Sequence, residues 1–376
     1  MAFRDSYLRT LLFDEPDRIP LLPGEPREST LRAWHQQGLP EGKDYYQALL
    51  DELGLAPMTN EVRALDLDVS FNMVPTFEEK VLEHKDGHFI VQDSMGATVE
   101  ISDQFDSSYL RSPKDFVTRR YHKFPVENRE DWERIKDRYA VDAPGRFPNH
   151  FAETCRELQS RDFVVTVDFK APFFRLREWC GLTNLCMFLA DAPEFVAEMI
   201  DFWTEFVSQV LARISQHIAV DRARPTEDMA YKAHSIISPA MVRKFLMPSY
   251  CRWVSELKAA GCQVIDMDSD GFVEELIPLW IEAGINVCEP MEVAAGNDLV
   301  ALRERFGKKM AYIGGIDKQA IAAGGEVMDA EVMRVVPPLL KEGGFIPGCD
   351  HGVPPDISWP NYVAYSRRLA QLCGWL

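Results

Sequence analysis

The chain lacks long apolar runs. Among its 376 residues no stretch of about 18 apolar residues occurs, so no membrane-spanning helix is expected. It also lacks paired cysteines. Cys155, Cys180, Cys186, Cys251, Cys262, Cys288, Cys349 and Cys373 are scattered, with no CxxC pair and no dense framework. That argues against a disulfide scaffold and points to reduced thiols, most of them buried apolar fillers, in a cytoplasmic protein. Residues 1–18 mix charged and apolar side chains and carry no apolar core with a cleavage site, so no targeting segment is expected. Low-complexity linkers and short repeats are missing. Basic charge is scarce: 41 Lys and Arg stand against 59 Asp and Glu, a net charge of −18, which excludes nucleic acid and anionic membrane surfaces as main partners. A small anionic substrate needs only a local basic cluster and stays possible.

What is present fits a soluble globular protein, with 46% hydrophobic and 27% charged residues and length enough for its own core. We read residues 1–376 as one domain. Residues 1–160 form an irregular part, with helices over 43–53 and 129–140 and a β-hairpin over 88–101 turning at Asp93 to Gly96. This part is expected to cap one end of the fold. From about residue 160 short apolar runs (163–167, 264–265, 285–288, 310–313, 344–347) alternate with helical stretches (193–214, 239–260, 273–283), the pattern of βα units on a parallel sheet. Pro193 suits a first helical turn, Ser238 an N-cap and Gly284 the position after a helix. The expected fold is α/β, a (β/α)8 TIM barrel with an N-terminal helical and hairpin extension.

Carboxylates follow the strands repeatedly: Asp168; Glu227 and Asp228; Asp266, Asp268 and Asp270; Glu289 and Glu292; Asp317; Asp350 with His351. In such a barrel the C-terminal strand ends converge on one face, which carries the site. One or two of these residues are expected to cap helices, but not the whole set.

Four stretches carry a resemblance: 226–232 (TEDMAYK), 266–271 (DMDSDG), 314–318 (GGIDK) and 347–356 (PGCDHGVPPD), with 23–40 and 75–80 upstream. Together they resemble the uroporphyrinogen decarboxylase superfamily over nearly the whole chain. Decarboxylation of uroporphyrinogen itself is a poor match, because the family's arginine-rich N-terminal signature is replaced here by a segment offering only Arg27 and Arg32 at the wrong spacing. The branch that moves methyl groups to or from corrinoids resembles the chain more closely. Its zinc site has a His-x-Cys-Gly element and a later Cys before Gly-Ile-Pro-Pro; Asp268-Ser-Asp270-Gly271 and His351-Gly-Val-Pro-Pro355 stand at those places, with Cys349 two residues earlier.

The resemblance therefore implies a corrinoid-dependent methyltransferase, most simply an aryl methyl ether O-demethylase. Zinc would be held by Asp268, Asp270, His351 and Cys349, and would act as a Lewis acid on the ether oxygen. Glu227, Glu289 and Tyr231 are the candidate catalytic residues. Phe169, Phe173, Phe174, Trp179 and Lys232 are the candidate substrate-binding residues. The expected partners are a small methylated substrate and a separate corrinoid protein, with a homodimer possible by resemblance. The alternatives are a metal-free carboxy-lyase using Asp66 or Asp68 with Arg27, and a non-catalytic subunit that docks a corrinoid protein.

Overall fold

The structure is a computed structural model that describes residues 2–56, 63–105, 110, 115 and 117–376. Its main sheet has seven parallel strands: β1 (Ala64–Asp66), β6 (Val164–Lys170), β7 (Arg222–Thr226), β8 (Val264–Asp268), β9 (Val287–Glu289), β10 (Ala311–Ile316) and β11 (Phe345–Cys349). They lie side by side in sequence order. Helices between consecutive strands cover the outer face, as parallel strands require. Beyond β11 an extended segment continues the pattern: Cys349 N–H donates to Pro23 O at 3.0 Å, Val353 N–H to Glu25 O at 2.8 Å and Arg27 N–H to Val353 O at 3.2 Å. The curled parallel α/β sheet agrees with the expected fold. Among the described residues no ladder joins this segment to β1.

The remaining strands, β2 (Lys80–Lys85), β3 (His88–Gln92), β4 (Thr98–Ser102) and β5 (Arg120–Lys123), make a separate antiparallel sheet. The expected hairpin is its centre. Gly96 N–H closes the turn on Asp93 O, and Asp93 Oδ1 accepts the Met95 and Ala97 N–H groups.

The expected helices form with local adjustments. The 43–53 stretch starts at Tyr45 behind an Asp44 cap. The 239–260 stretch splits into Pro239–Phe245 and Met247–Ala259, because Pro248 cannot continue a helix interior and starts a new one. The 273–283 stretch becomes helical only from Ile277.

Helix Phe3–Leu11 closes the floor. Its Tyr7, Leu8 and Leu11 pack on Val164, Val264, Val287, Ala311 and Ile346, residues at or next to the N-terminal ends of five strands. This helix lies at the end opposite the C-terminal rim. Replacing Leu11 by Ala would leave a void in this layer. We expect a loss of roughly 2–5 kcal/mol, read as a lower urea midpoint with unchanged m-value; an unchanged midpoint would show that the helix does not seal the sheet.

Candidate active site

Side chains alternate along each strand. On β6, Thr166, Asp168 and Lys170 face the interior of the curled sheet, and Phe169 faces the helices, against Phe71 and Trp253. On β7 the inward residues are Arg222, Arg224 and Thr226. The strand register sets Lys170, Thr226, Asp268 and Glu289 on one rung at the C-terminal rim.

Below that rung lies a charge network. Arg222 pairs with Asp266 and, at 2.5 Å, with Glu289. Arg224 holds Asp168 at 2.6 Å and Glu289 at 3.0 Å, and lies 4.0 Å from Asp268. Thr226 Oγ1 donates to Asp268 Oδ2, and Thr166 Oγ1 to Asp168 Oδ1. Two guanidiniums thus face four carboxylates.

Burial and the Glu289 charge push Asp266 and Asp268 up, against the pull of the arginines. Burial also pushes Glu289 up, but Arg222 and Arg224 outweigh it, so Glu289 is held ionised. A carboxylate clamped in this way is a poor proton donor. Asp268 is different. Its side chain is 24% exposed at the rim, while that of Asp266 is fully covered.

Glu227 is fully buried. Its Oε2 accepts the Phe174 N–H at 2.9 Å, at the start of helix Pro172–Cys180, and its Oε1 accepts the Tyr250 hydroxyl proton. Burial pushes it up to about 8. It pins a helix end rather than facing the mouth.

The other expected residues separate. Phe169, Phe173 and Trp179 are core; Trp179 is covered by Trp132, Trp203 and Tyr139. Phe174 alone of the four aromatics is partly open, with Lys170 Nζ 3.9 Å from its ring centre and Arg177 Cζ 4.4 Å away. Tyr231 is 77% exposed and Lys232 is also exposed, on a rim loop closed by the Ala230–Ser235 bridge. Neither reaches the interior network.

The proposed zinc ligands do not assemble. Cys349 is buried among the apolar residues of the helix layer, where burial pushes its thiol up to about 12. Asp270 Oδ2 and His351 Nε2 meet at 3.2 Å. His351 Nδ1 faces two donors, the Gly352 N–H at 2.7 Å and Arg27 Nη2 at 3.2 Å. Among the described residues no three His, Cys, Asp or Glu side chains are grouped to hold an ion. A catalytic zinc needs three protein donors, so this donor arrangement does not fit one, and a guanidinium beside the imidazole adds repulsion.

Several carboxylates of the expected set have structural tasks. Asp317 caps helix Lys318–Ala323. Asp350 accepts the Val293 and Lys318 N–H groups. Gly314 and Gly315 have φ of +92° and +72°, and a Cβ on Gly314 would lie 2.5 Å from Pro290 O, so they serve chain approach. Asp66 lies at the end of β1, pushed up first by burial, and its Oδ1 accepts the Asp68 N–H at 2.7 Å.

Sequence reading missed Arg222, Arg224 and Lys170. The signal was there in Arg222-Ala-Arg-Pro-Thr226, an alternating polar set with small or apolar residues facing the helices, hidden because the strand has no apolar run.

Glu227, Asp266 and Asp268 all bind protons more tightly in the folded chain than in the unfolded one. Their stabilising contribution is therefore complete at low pH and is lost as pH rises, through about 8 for Glu227. From Glu227 alone we expect unfolding free energy to fall by roughly 2–3 kcal/mol between pH 6 and 9 in urea titrations, and Glu227→Gln to remove that share of the slope. A flat profile would contradict the buried-acid assignment.

No helix is long and apolar enough to cross a membrane among the described residues. Comparison with curated proteins gives no match. Among solved structures the chain is similar to a methyltransferase from Methanosarcina mazei, with 14% identity, 98% of each chain covered and a TM-score of 0.58, a likeness of fold. A Listeria monocytogenes chain assigned by name as a vitamin-B12 independent methionine synthase is more distant, with 11% identity, 94% of this chain and 95% of that chain covered, and a TM-score of 0.40. The family model for uroporphyrinogen decarboxylase matches residues 115–367, which include six of the seven parallel strands and the whole arginine–carboxylate network. The chain belongs to the uroporphyrinogen decarboxylase family.

Proposed function

We propose that the chain is a methyltransferase that removes the methyl group of a small aryl methyl ether at the C-terminal rim. The acceptor is a reduced corrinoid carried by a separate protein, and the extended segment 19–26 completes the barrel as its eighth stave. Asp268 carries the reading: a partly open carboxyl on the top rung whose proton affinity is raised by burial and by Glu289. An ether oxygen leaves poorly as an anion, so a proton donor at the rim lowers the barrier. The C–O bond breaks with its electron pair staying on oxygen, the methyl carbon passes to the corrinoid, and oxygen takes the Asp268 proton. Arg224 and Glu289 hold the field around Asp268 fixed. The Asp270–His351 pair lies beyond this rung and ties the loop after β8 to that after β11. No step here runs through zinc, because the donor set at the rim does not fit it.

The test incubates purified protein with methoxybenzene or 4-methoxybenzoate and chemically reduced cobalamin, following the phenol product and the corrinoid spectrum. We expect methyl transfer, slowed roughly 100- to 1,000-fold in Asp268→Asn. Release of carbon dioxide from carboxylated substrates without methyl transfer would replace this reading by the carboxy-lyase one, in which Asp66 or Asp68 with Arg27 takes the leading role.

A further inference from the structure

Among the described residues the cations that face the inside of the rim are held by carboxylates or carbonyls, except Lys170. Arg222 and Arg224 are locked to the carboxylate network. Arg177 donates to the Asp228 carbonyl at 2.8 Å. Lys318 lies 3.5 Å from Glu292 and 3.8 Å from Asp350. Lys170 ends β6 on the same face as Asp168, in register with Thr226 and hence with Asp268. Its ammonium rests on the Phe174 ring at 3.9 Å. Among the described residues it has no carboxylate within 4.0 Å and no hydrogen-bond acceptor.

Such an arrangement is incomplete. A half-buried ammonium loses part of its hydration, and a ring face replaces only a fraction of it. Burial pulls Lys170 down, while Glu178, Asp228 and Asp268, all beyond pairing distance, help to keep it charged. The backbone of Phe174 is held by its N–H bond to Glu227, and Arg177 lies 4.4 Å from the same ring. A cation at the end of a barrel strand with an aromatic wall and no anion invites one from a ligand.

We propose that Lys170 anchors the carboxylate of a small aromatic substrate, whose ring lies along Phe174. This names the substrate class of the site and rests on the rim being where substrate binds. The anchor sets orientation: a carboxylate fixed at Lys170 directs the rest of a rigid molecule across the rung toward Asp268. Neutral aryl ethers lack that anchor and bind more weakly.

The test measures binding of benzoate and of benzamide, its neutral isostere, by calorimetry on the full chain, with no corrinoid present. Wild-type protein is expected to bind benzoate more tightly than benzamide. Lys170→Met keeps the apolar stem and is expected to weaken benzoate roughly 10- to 100-fold, with benzamide within about twofold. Lys170→Arg keeps the charge and is expected to retain most of the affinity. Circular dichroism and thermal midpoints check that both variants fold. Absence of benzoate binding at 10-millimolar levels (roughly the weak end of specific affinities), or equal losses for both probes in Lys170→Met, overturns the proposal. The methyl-transfer reading fails separately. Benzoate binding that depends on Lys170 without any demethylation leaves the anchor standing. Demethylation of methoxybenzene as fast as of 4-methoxybenzoate, unchanged in Lys170→Met, removes the anchor and leaves the methyltransferase.

Discussion

Four carboxylates and two guanidiniums share the interior of the curled sheet, and everything above them depends on how that imbalance is met. Arg222 and Arg224 converge on Glu289, each also taking one more carboxylate, Asp266 and Asp168 respectively. If all six were ionised, four negative charges against two positive ones would leave an excess of two in a poorly solvated space. Protonation is the cheapest way to remove it. Proton affinity is accordingly raised at Asp266 and Asp268 by burial and the Glu289 charge, while Glu289 takes both arginines. The acid at the rim is thus a product of the network beneath it. Removing Arg224 would take away the guanidinium of Asp168 and leave Glu289 with Arg222 alone, changing the charge balance of the whole interior, so the network acts as one unit.

The floor makes this possible. Helix Phe3–Leu11 and the valine and isoleucine layer at the N-terminal strand ends keep water from reaching the network from below. Solvent then meets the charges only from the rim, where exposure rises from Asp266, fully covered, to Asp268, partly open. That gradient separates an acid sealed within the network from one that solvent and a ligand can reach.

Much of the fold was legible in the sequence because parallel strands under helices leave strong marks: apolar runs, helix starts at Pro193 and Ser238, and a terminating Gly284. The rim carboxylates were legible for the same reason. Two of the errors share one cause, which is parity along a strand. Counting from Asp168 by twos places Lys170 inside and Phe169 outside, yet the aromatic residue drew attention as a wall. The same count puts Cys349, on the helix side of β11, out of reach of any ion at the rim. Glu227 fails for a different reason: nothing local tells that its carboxylate turns back to the helix starting at Pro172 and to Tyr250, two partners distant in the chain.

The Asp270–His351 pair marks where motif and geometry diverge. The resemblance implies zinc ligands at these two positions, and the structure does bring the two side chains together. Its surroundings then settle what the imidazole does. Asp270 raises the proton affinity of the ring through their hydrogen bond. A second proton, on Nδ1, would meet the Gly352 N–H and the Arg27 guanidinium, so the ring carries its single proton on Nε2 and points it at Asp270. An ion at Nε2 would have to displace that proton and share Asp270, and one at Nδ1 would have to displace two donors. The pair is therefore better built to tie two rim loops and the start of helix Glu28–His35 into one frame around the mouth. The frame is polar and lies beyond the rung that carries Asp268.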